Sequence, residues 1–126
     1  MSRMILAALL AGILLAACAG GSTSAAPAVN AYLQAKVGHD DTGAVQAACA
    51  AWEAQARAEV ASFASMNARL EAVTCADQSN DGRSAVVACI GSIVTVYNGE
   101  TREWNLADRD FKVVVEGGEW RMCGYE

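Results

Sequence analysis

Three turn signals divide the C-terminal part of the chain and leave it little choice but an antiparallel meander. Asp81-Gly82, Asn98-Gly99 and Gly117-Gly118 each join residues that tolerate positive φ, which a tight two-residue hairpin requires. The runs between them are rich in β-branched residues and read as strands. Residues 70–75 form the first, and Ala-Asp-Gln-Ser-Asn-Asp-Gly after it is the turn region. Residues 85–97 form a long second strand in which Gly91 marks a bulge or bend. Residues 101–116 form the third, interrupted around Ala107-Asp108, with Phe111, Val113 and Val115 sharing a face. Residues 119–125 form the last.

Upstream the apolar period lengthens from two to between three and four. Residues 29–37 read as a short helix with Val29, Tyr32, Leu33 and Val37 on one face and Gly38 placed to end it. The polar break His39-Asp40-Asp41-Thr42-Gly43 offers N-caps to the next helix. From Ala44, the positions Val45, Cys49, Trp52, Ala56, Val60 and Phe63 trace one helical stripe, about five turns long. Gln46, Glu53, Gln55, Arg57 and Glu59 fall on the other faces of that helix. The expected fold class is α+β: two N-terminal helices packed on one face of a bent four-strand antiparallel sheet.

A small domain of this kind gains from staples, and the cysteines supply them. Beyond Cys18 the chain holds Cys49, Cys75, Cys89 and Cys123. An even number in an exported chain reads as two disulfides, with three connectivities open. No two of them have C-x-x-C spacing and the single histidine, His39, lies apart in a polar loop, so no metal site is expected.

The export reading rests on the N-terminus. One cation, Arg3, precedes an apolar run from Met4 to Ala17, shorter than the about 20 residues of a membrane span. The run ends in Leu15-Ala16-Ala17-Cys18, which resembles the lipobox of bacterial lipoproteins. That resemblance implies a signal peptide over residues 1–17, a diacylglyceryl group on the Cys18 thiol and cleavage before Cys18. Ala17-Cys18-Ala19 also fits the A-x-A pattern of ordinary secretion, which would release a soluble protein; an uncleaved anchor is the third reading. Residues 18–28, rich in Gly, Ser, Thr and Ala, are expected to be a flexible tether, and residues 29–126 the folded domain. The resulting localisation is the cell envelope, on the extracytoplasmic side of a membrane, with the bilayer as partner through the Cys18 lipid. Without Arg3 the chain keeps eight Lys and Arg against fourteen Asp and Glu. An acidic surface of that kind repels phosphate backbones, so nucleic acid is not an expected partner.

Helices leading into such a sheet, closing on Phe-Lys-Val-Val-Val-Glu-Gly-Gly-Glu-Trp-Arg-Met-Cys-Gly, resemble a small NTF2-like (cystatin-like) cone-shaped domain. Gly117-Gly118 would make its closing turn and Trp120 would cap the open edge of its core. The resemblance implies the disulfide pairs Cys75–Cys89 and Cys49–Cys123. A turn at Asp81-Gly82 places Cys75 opposite about residue 85, so the first pair calls for a bulge or a wider loop. The cone would offer a pocket with Trp52, Tyr32, Phe63, Tyr97 and Phe111 as candidate lining residues, although aromatic residues more often simply form the core of a small domain. Trp104 and Trp120 are further aromatic candidates.

Enzymes of the NTF2-like kind place an Asp or a His–Asp pair in the cone. The corresponding residues here are Asp108 and Asp110, with Tyr32 or Tyr97 as hydrogen-bond donors. Arg109 between the two carboxylates reads instead as a solvated strand edge, and His39 lies in a flexible break before the main helix, so no base–acid pair can be assembled. No Gly-x-Ser-x-Gly or Walker spacing occurs. The expectation is therefore a non-enzymatic protein without catalytic residues or cofactor that binds a small apolar ligand. An envelope adaptor or inhibitor that binds another protein is the alternative reading, and an isomerase or dehydratase the remaining one.

Overall fold

The computed structural model describes residues 24–126. The expected leader, the lipobox-like segment with Cys18 and the first part of the expected tether lie outside the described residues. Within them the fold is α+β, with three α-helices and one antiparallel sheet of five strands. The helices are α1 (Ala26–Val37), α2 (Asp41–Ala47) and α3 (Glu53–Ser62). The strands are β1 (Asn67–Asn80), β2 (Ser84–Tyr97), β3 (Glu100–Asn105), β4 (Phe111–Glu116) and β5 (Glu119–Tyr125). Among the described residues no helix is long and apolar enough to cross a membrane.

Helix α1 begins three residues before the expected boundary, and residues 25–28 belong to the domain. Ala25 and Ala26 are buried, and the reason is a cap supplied from far along the chain. The Asp77 carboxylate on β1 accepts the backbone N–H groups of Ala25 and Ala26 and the Ser24 hydroxyl, at 2.9 to 3.1 Å. It thereby takes up donors that the helix start leaves orphaned, since α1 has no side-chain cap of its own. Burial pushes the Asp77 carboxyl up, but hydrogen bonds from Ala25, Asn80, Ala26 and Ser24 outweigh it and hold it below the usual carboxylate range.

The single five-turn helix expected over residues 44–63 is two helices. After Ala47 the chain turns extended, with Ala48 at ψ 150° and Cys49 at ψ 159°, before a 3-10 turn over Ala50–Trp52 leads into α3. The extended pair docks on β5. Ala48 bridges Met122 in parallel, the Cys49 N–H donates to the Met122 carbonyl at 2.9 Å, and Cys49 is bonded to Cys123. Tertiary pairing has displaced the local helical preference.

The expected four strands are five because the third divides at Leu106–Asp108, a 3-10 turn whose Leu106 is buried. The Asn105 side chain caps that turn through the Ala107 N–H at 3.0 Å. The two pieces lie along the same strand: β3 pairs with residues 92–97 of β2 and β4 with residues 84–87. Phe111 and Val113 are buried as expected, whereas Val115 is exposed, because it pairs with Trp120 near the tip of the hairpin rather than over the core. The first strand runs on through residues 76–80, which read as turn in the sequence, and the turn proper is Asp81 to Arg83. The Asp81 carboxylate holds it by accepting from the Arg83 and Ser84 N–H groups at 2.8 Å each.

That register accounts for the first disulfide. Residue 85 faces Asn80, not Cys75, and an irregularity between Asp77 and Ser79 sets Cys75 directly opposite Cys89, with Cα atoms 4.1 Å apart. Both Cys75–Cys89 and Cys49–Cys123 are formed. Two disulfides in so small a domain suggest an oxidising, extracytoplasmic environment.

Gly91 sits opposite Ala72 and Val73, where the β1–β2 register shifts by one residue. Its φ is +97°, and a Cβ there would stand 2.5 Å from the Ala72 carbonyl oxygen. Replacing Gly91 with Ala is therefore expected to destabilise the domain by about 2–4 kcal/mol. Urea unfolding checks this; a loss under about 0.5 kcal/mol, within the usual range for an innocuous surface change, would show that the bulge is not constrained.

The core lies between the helices and one face of the sheet. Val29, Tyr32 and Leu33 of α1 meet Val87, Cys89, Val113 and Met122 there, all of them almost wholly buried.

Candidate functional site

A cavity of about 540 Å³ opens where the C-terminal ends of α1 and α3 face β3, the 3-10 turn and the end of β5. Leu33, Phe63, Ile93, Trp104, Leu106 and Phe111 give it apolar walls. Polar groups gather at one side: Lys36, Tyr125 and Arg109 line it, and Glu59 stands behind them. A largely apolar concavity with a few fixed polar groups is the usual form of a small-molecule site.

The polar side is built on one carboxylate oxygen. Glu59 Oε2 accepts the Tyr32 hydroxyl at 2.7 Å and the Tyr125 hydroxyl at 2.8 Å, and pairs with Lys36 Nζ at 3.1 Å. Trp52 Nε1–H donates to the Tyr32 hydroxyl oxygen at 3.3 Å. Lys36 and Glu59 side chains are only 12% and 13% exposed, so each satisfies a charge that burial would otherwise penalise. Aromatic packing fixes the same group: Tyr125 meets Trp52 edge-on, with centroids 5.8 Å apart, and Phe111 at 5.3 Å.

Both network tyrosines are held neutral. Burial is the larger cause for each, and the adjacent Glu59 charge and hydrogen bond add to it, so both phenols are pushed well above their ordinary range. A phenol whose folded pKa is raised stabilises the fold fully below the unfolded value of about 10 and loses that contribution as pH rises further. Stability is accordingly expected to fall above pH 10 by roughly 1 kcal/mol per pH unit for each tyrosine, after allowing for solvent screening. Tyrosinate absorbance at 295 nm, followed together with circular dichroism, reads this directly. Tyr32 and Tyr125 should ionise only as the fold is lost; their ionisation in the intact fold would contradict the network.

Of the five pocket residues expected from sequence, Phe63 and Phe111 line the cavity. Tyr32 does not: it is fully buried behind the wall and reaches the site only through Glu59. Trp52 likewise stands one layer back, bonded to Tyr32. Tyr97 is elsewhere, half-exposed beside the Asn98-Gly99 turn, in a separate groove with His39 and Met66. The carboxylate–phenol arrangement of an NTF2-like enzyme, weighed and set aside in the sequence, takes another form among the described residues. Asp108 lines the cavity, but Tyr32 and Tyr125, not Tyr97, are the phenols beside a carboxylate, and that carboxylate is Glu59. Asp110 serves through its backbone, whose carbonyl accepts the Glu126 N–H at 2.9 Å.

Trp104, half-exposed at the wall, is a further aromatic residue of the lining and donates Nε1–H to Thr95 at 3.2 Å. Trp120 packs partly buried against the core and lines a separate groove between α1, α2 and β5. Lys36, Glu59, Arg109 and Tyr125 are site residues that the sequence does not single out. For two of them a signal is present: Glu59 lies close to the stripe of Trp52, Ala56 and Phe63, and Lys36 stands four after Tyr32. Opposite charges at inward positions of neighbouring helices are a readable pattern.

Among the described residues all four cysteines are consumed in the two disulfides. Comparison with protein-family models, with curated proteins and with solved structures returns no match for this chain.

Proposed function

We propose that this chain is an exported bacterial lipoprotein, held to a membrane through a lipid on Cys18, whose small NTF2-like domain binds a small apolar ligand without transforming it. The observation that carries the binding reading is the cavity: apolar side chains from α1, the end of α3, β2, β3 and β4 converge around about 540 Å³, and a buried ionic network keeps one side of it rigid. A site with these walls gains by removing apolar ligand surface from water. The Tyr32–Glu59–Tyr125 cluster is read as scaffolding, since Glu59 already accepts two hydroxyls and an ammonium.

The anchor reading rests on Leu15-Ala16-Ala17-Cys18, and the disulfides agree with export. Because Asp77 ties down Ser24 and Ala25, the expected tether shortens to residues 19–23, a reach of at most about 20 Å. The ligand site would then work close to the bilayer, where an apolar molecule is concentrated.

Calorimetric titration with 1-decanol tests the binding reading. Saturable binding is expected, with a change in tryptophan emission that Trp104→Phe removes. Absence of saturable heat would defeat it. Co-purification of a stoichiometric envelope protein in its place would support the adaptor reading, for which half-exposed Trp104 and exposed Ile90 would be the contact residues.

A further inference from the structure

We infer that the ligand is an apolar carboxylate, its body in the cavity and its carboxylate on the guanidinium of Arg109; this rests on the binding reading above. Two cations line the cavity, Lys36 and Arg109, and they differ in one respect. The Lys36 charge is taken by Glu59 at 3.1 Å. Arg109 has no such partner: among the described residues no carboxylate comes within 4.0 Å of it. Glu103 is engaged with the Ser92 hydroxyl at 2.7 Å, and the neighbours Asp108 and Asp110 form no ion pair with it.

Arg109 is nevertheless held in position. Its guanidinium carbon stands 4.0 Å from the centroid of the Tyr125 ring, and Tyr125 is itself fixed by Glu59, Trp52 and Phe111. The segment carrying it is tied at both ends, by the Asn105 cap and by the Glu126 N–H on Asp110. A guanidinium stacked on a ring keeps its N–H groups pointing outward in its own plane, the arrangement that takes a carboxylate through two parallel hydrogen bonds. Apolar wall and planar donor fork lie side by side at one cavity, which fits an ion with a hydrocarbon body better than a neutral hydrocarbon. Asp108 lies in the same lining and opposes an anion, so its charge weakens the site and gives the inference a second handle.

Titration of the full domain at neutral pH with decanoate and with 1-decanol, which share their alkyl chain, tests this. Decanoate is expected to bind at least tenfold more tightly than decanol. Arg109→Gln should erase that preference by weakening decanoate at least tenfold, and an unchanged circular dichroism spectrum shows that the variant is folded. Arg109→Lys, which keeps the charge but loses the fork, should fall between, and Asp108→Asn should raise the preference for decanoate over decanol severalfold. Equal affinity for the two ligands in the unaltered protein, or a preference that survives in Arg109→Gln, would overturn the carboxylate assignment and leave the apolar cavity standing. If neither ligand binds, the binding reading itself falls and takes this inference with it.

Discussion

Removing the Cys49–Cys123 bond, by replacing both residues with alanine, is expected to lower the unfolding free energy by about 4.5 kcal/mol. The bond joins residues 74 apart in sequence, so it removes a large set of open conformations from the unfolded chain. It also holds the extended Ala48–Cys49 link against β5, where the Cys49 N–H meets the Met122 carbonyl. The Cys75–Cys89 bond spans only 14 residues, for which the same argument gives about 3 kcal/mol. Its two cysteines are moreover already neighbours in the hairpin register. Urea denaturation of the two double variants should rank them in that order. Greater damage from loss of the hairpin bond would show that the long loop is held by something other than the disulfide.

Glu59→Ala is the second change with a large expected effect, a loss of about 3–5 kcal/mol. One carboxylate oxygen serves three donors. Its removal leaves the fully buried Tyr32 hydroxyl without its acceptor and strands the Lys36 ammonium, which is 12% exposed. Glu59→Gln keeps an acceptor oxygen of the same reach but loses the ion pair, and should cost roughly half as much. Because Gln fills the same space as Glu, the comparison separates hydrogen bonding from charge. Thermal or urea unfolding supplies the measurement. A Glu59→Ala variant within about 1 kcal/mol of the original would mean that water replaces the carboxylate freely, and the rigid wall inferred for the cavity would go with it.

What can be read in the sequence divides along the range of the forces involved. The hairpins at Asn98-Gly99 and Gly117-Gly118 are legible because two adjacent residues decide them, and both residues of each adopt the positive φ expected. Gly91 is legible as an irregularity for the same local reason. The break after Ala47 is not, since Val45, Cys49 and Trp52 continue a helical stripe; only the backbone of β5, more than seventy residues away, interrupts it. The start of α1 is hidden in the same way. Ser24 and Ala25 look like tether until Asp77, over fifty residues later, supplies the cap.

The site shows a different lesson. Phe63 and Phe111 stand out in the sequence for their apolar bulk and do line the cavity, whereas Tyr32 and Trp52 carry polar handles and are drawn into the network behind it. Glu59 reads as part of a solvated face because charge usually lies there. Its position near the helical stripe makes an inward placement possible, and Lys36 on the neighbouring helix is the charge that makes it tolerable. Arg109 reads as part of a solvated edge, and it is exposed. The ring that orients it, Tyr125, arrives from the last strand and cannot be paired with it by spacing.

The most direct test of the account is the intact mass, native and then denatured, of the protein purified gently from its own membranes. The expected denatured mass is that of residues 18–126 plus a diacylglyceryl group, less four hydrogens for the two disulfides, and the expected native mass is larger by one small apolar molecule. A chain beginning at Gly20, four free thiols, or a native mass with nothing added would contradict in turn the anchor, the compartment and the bound ligand.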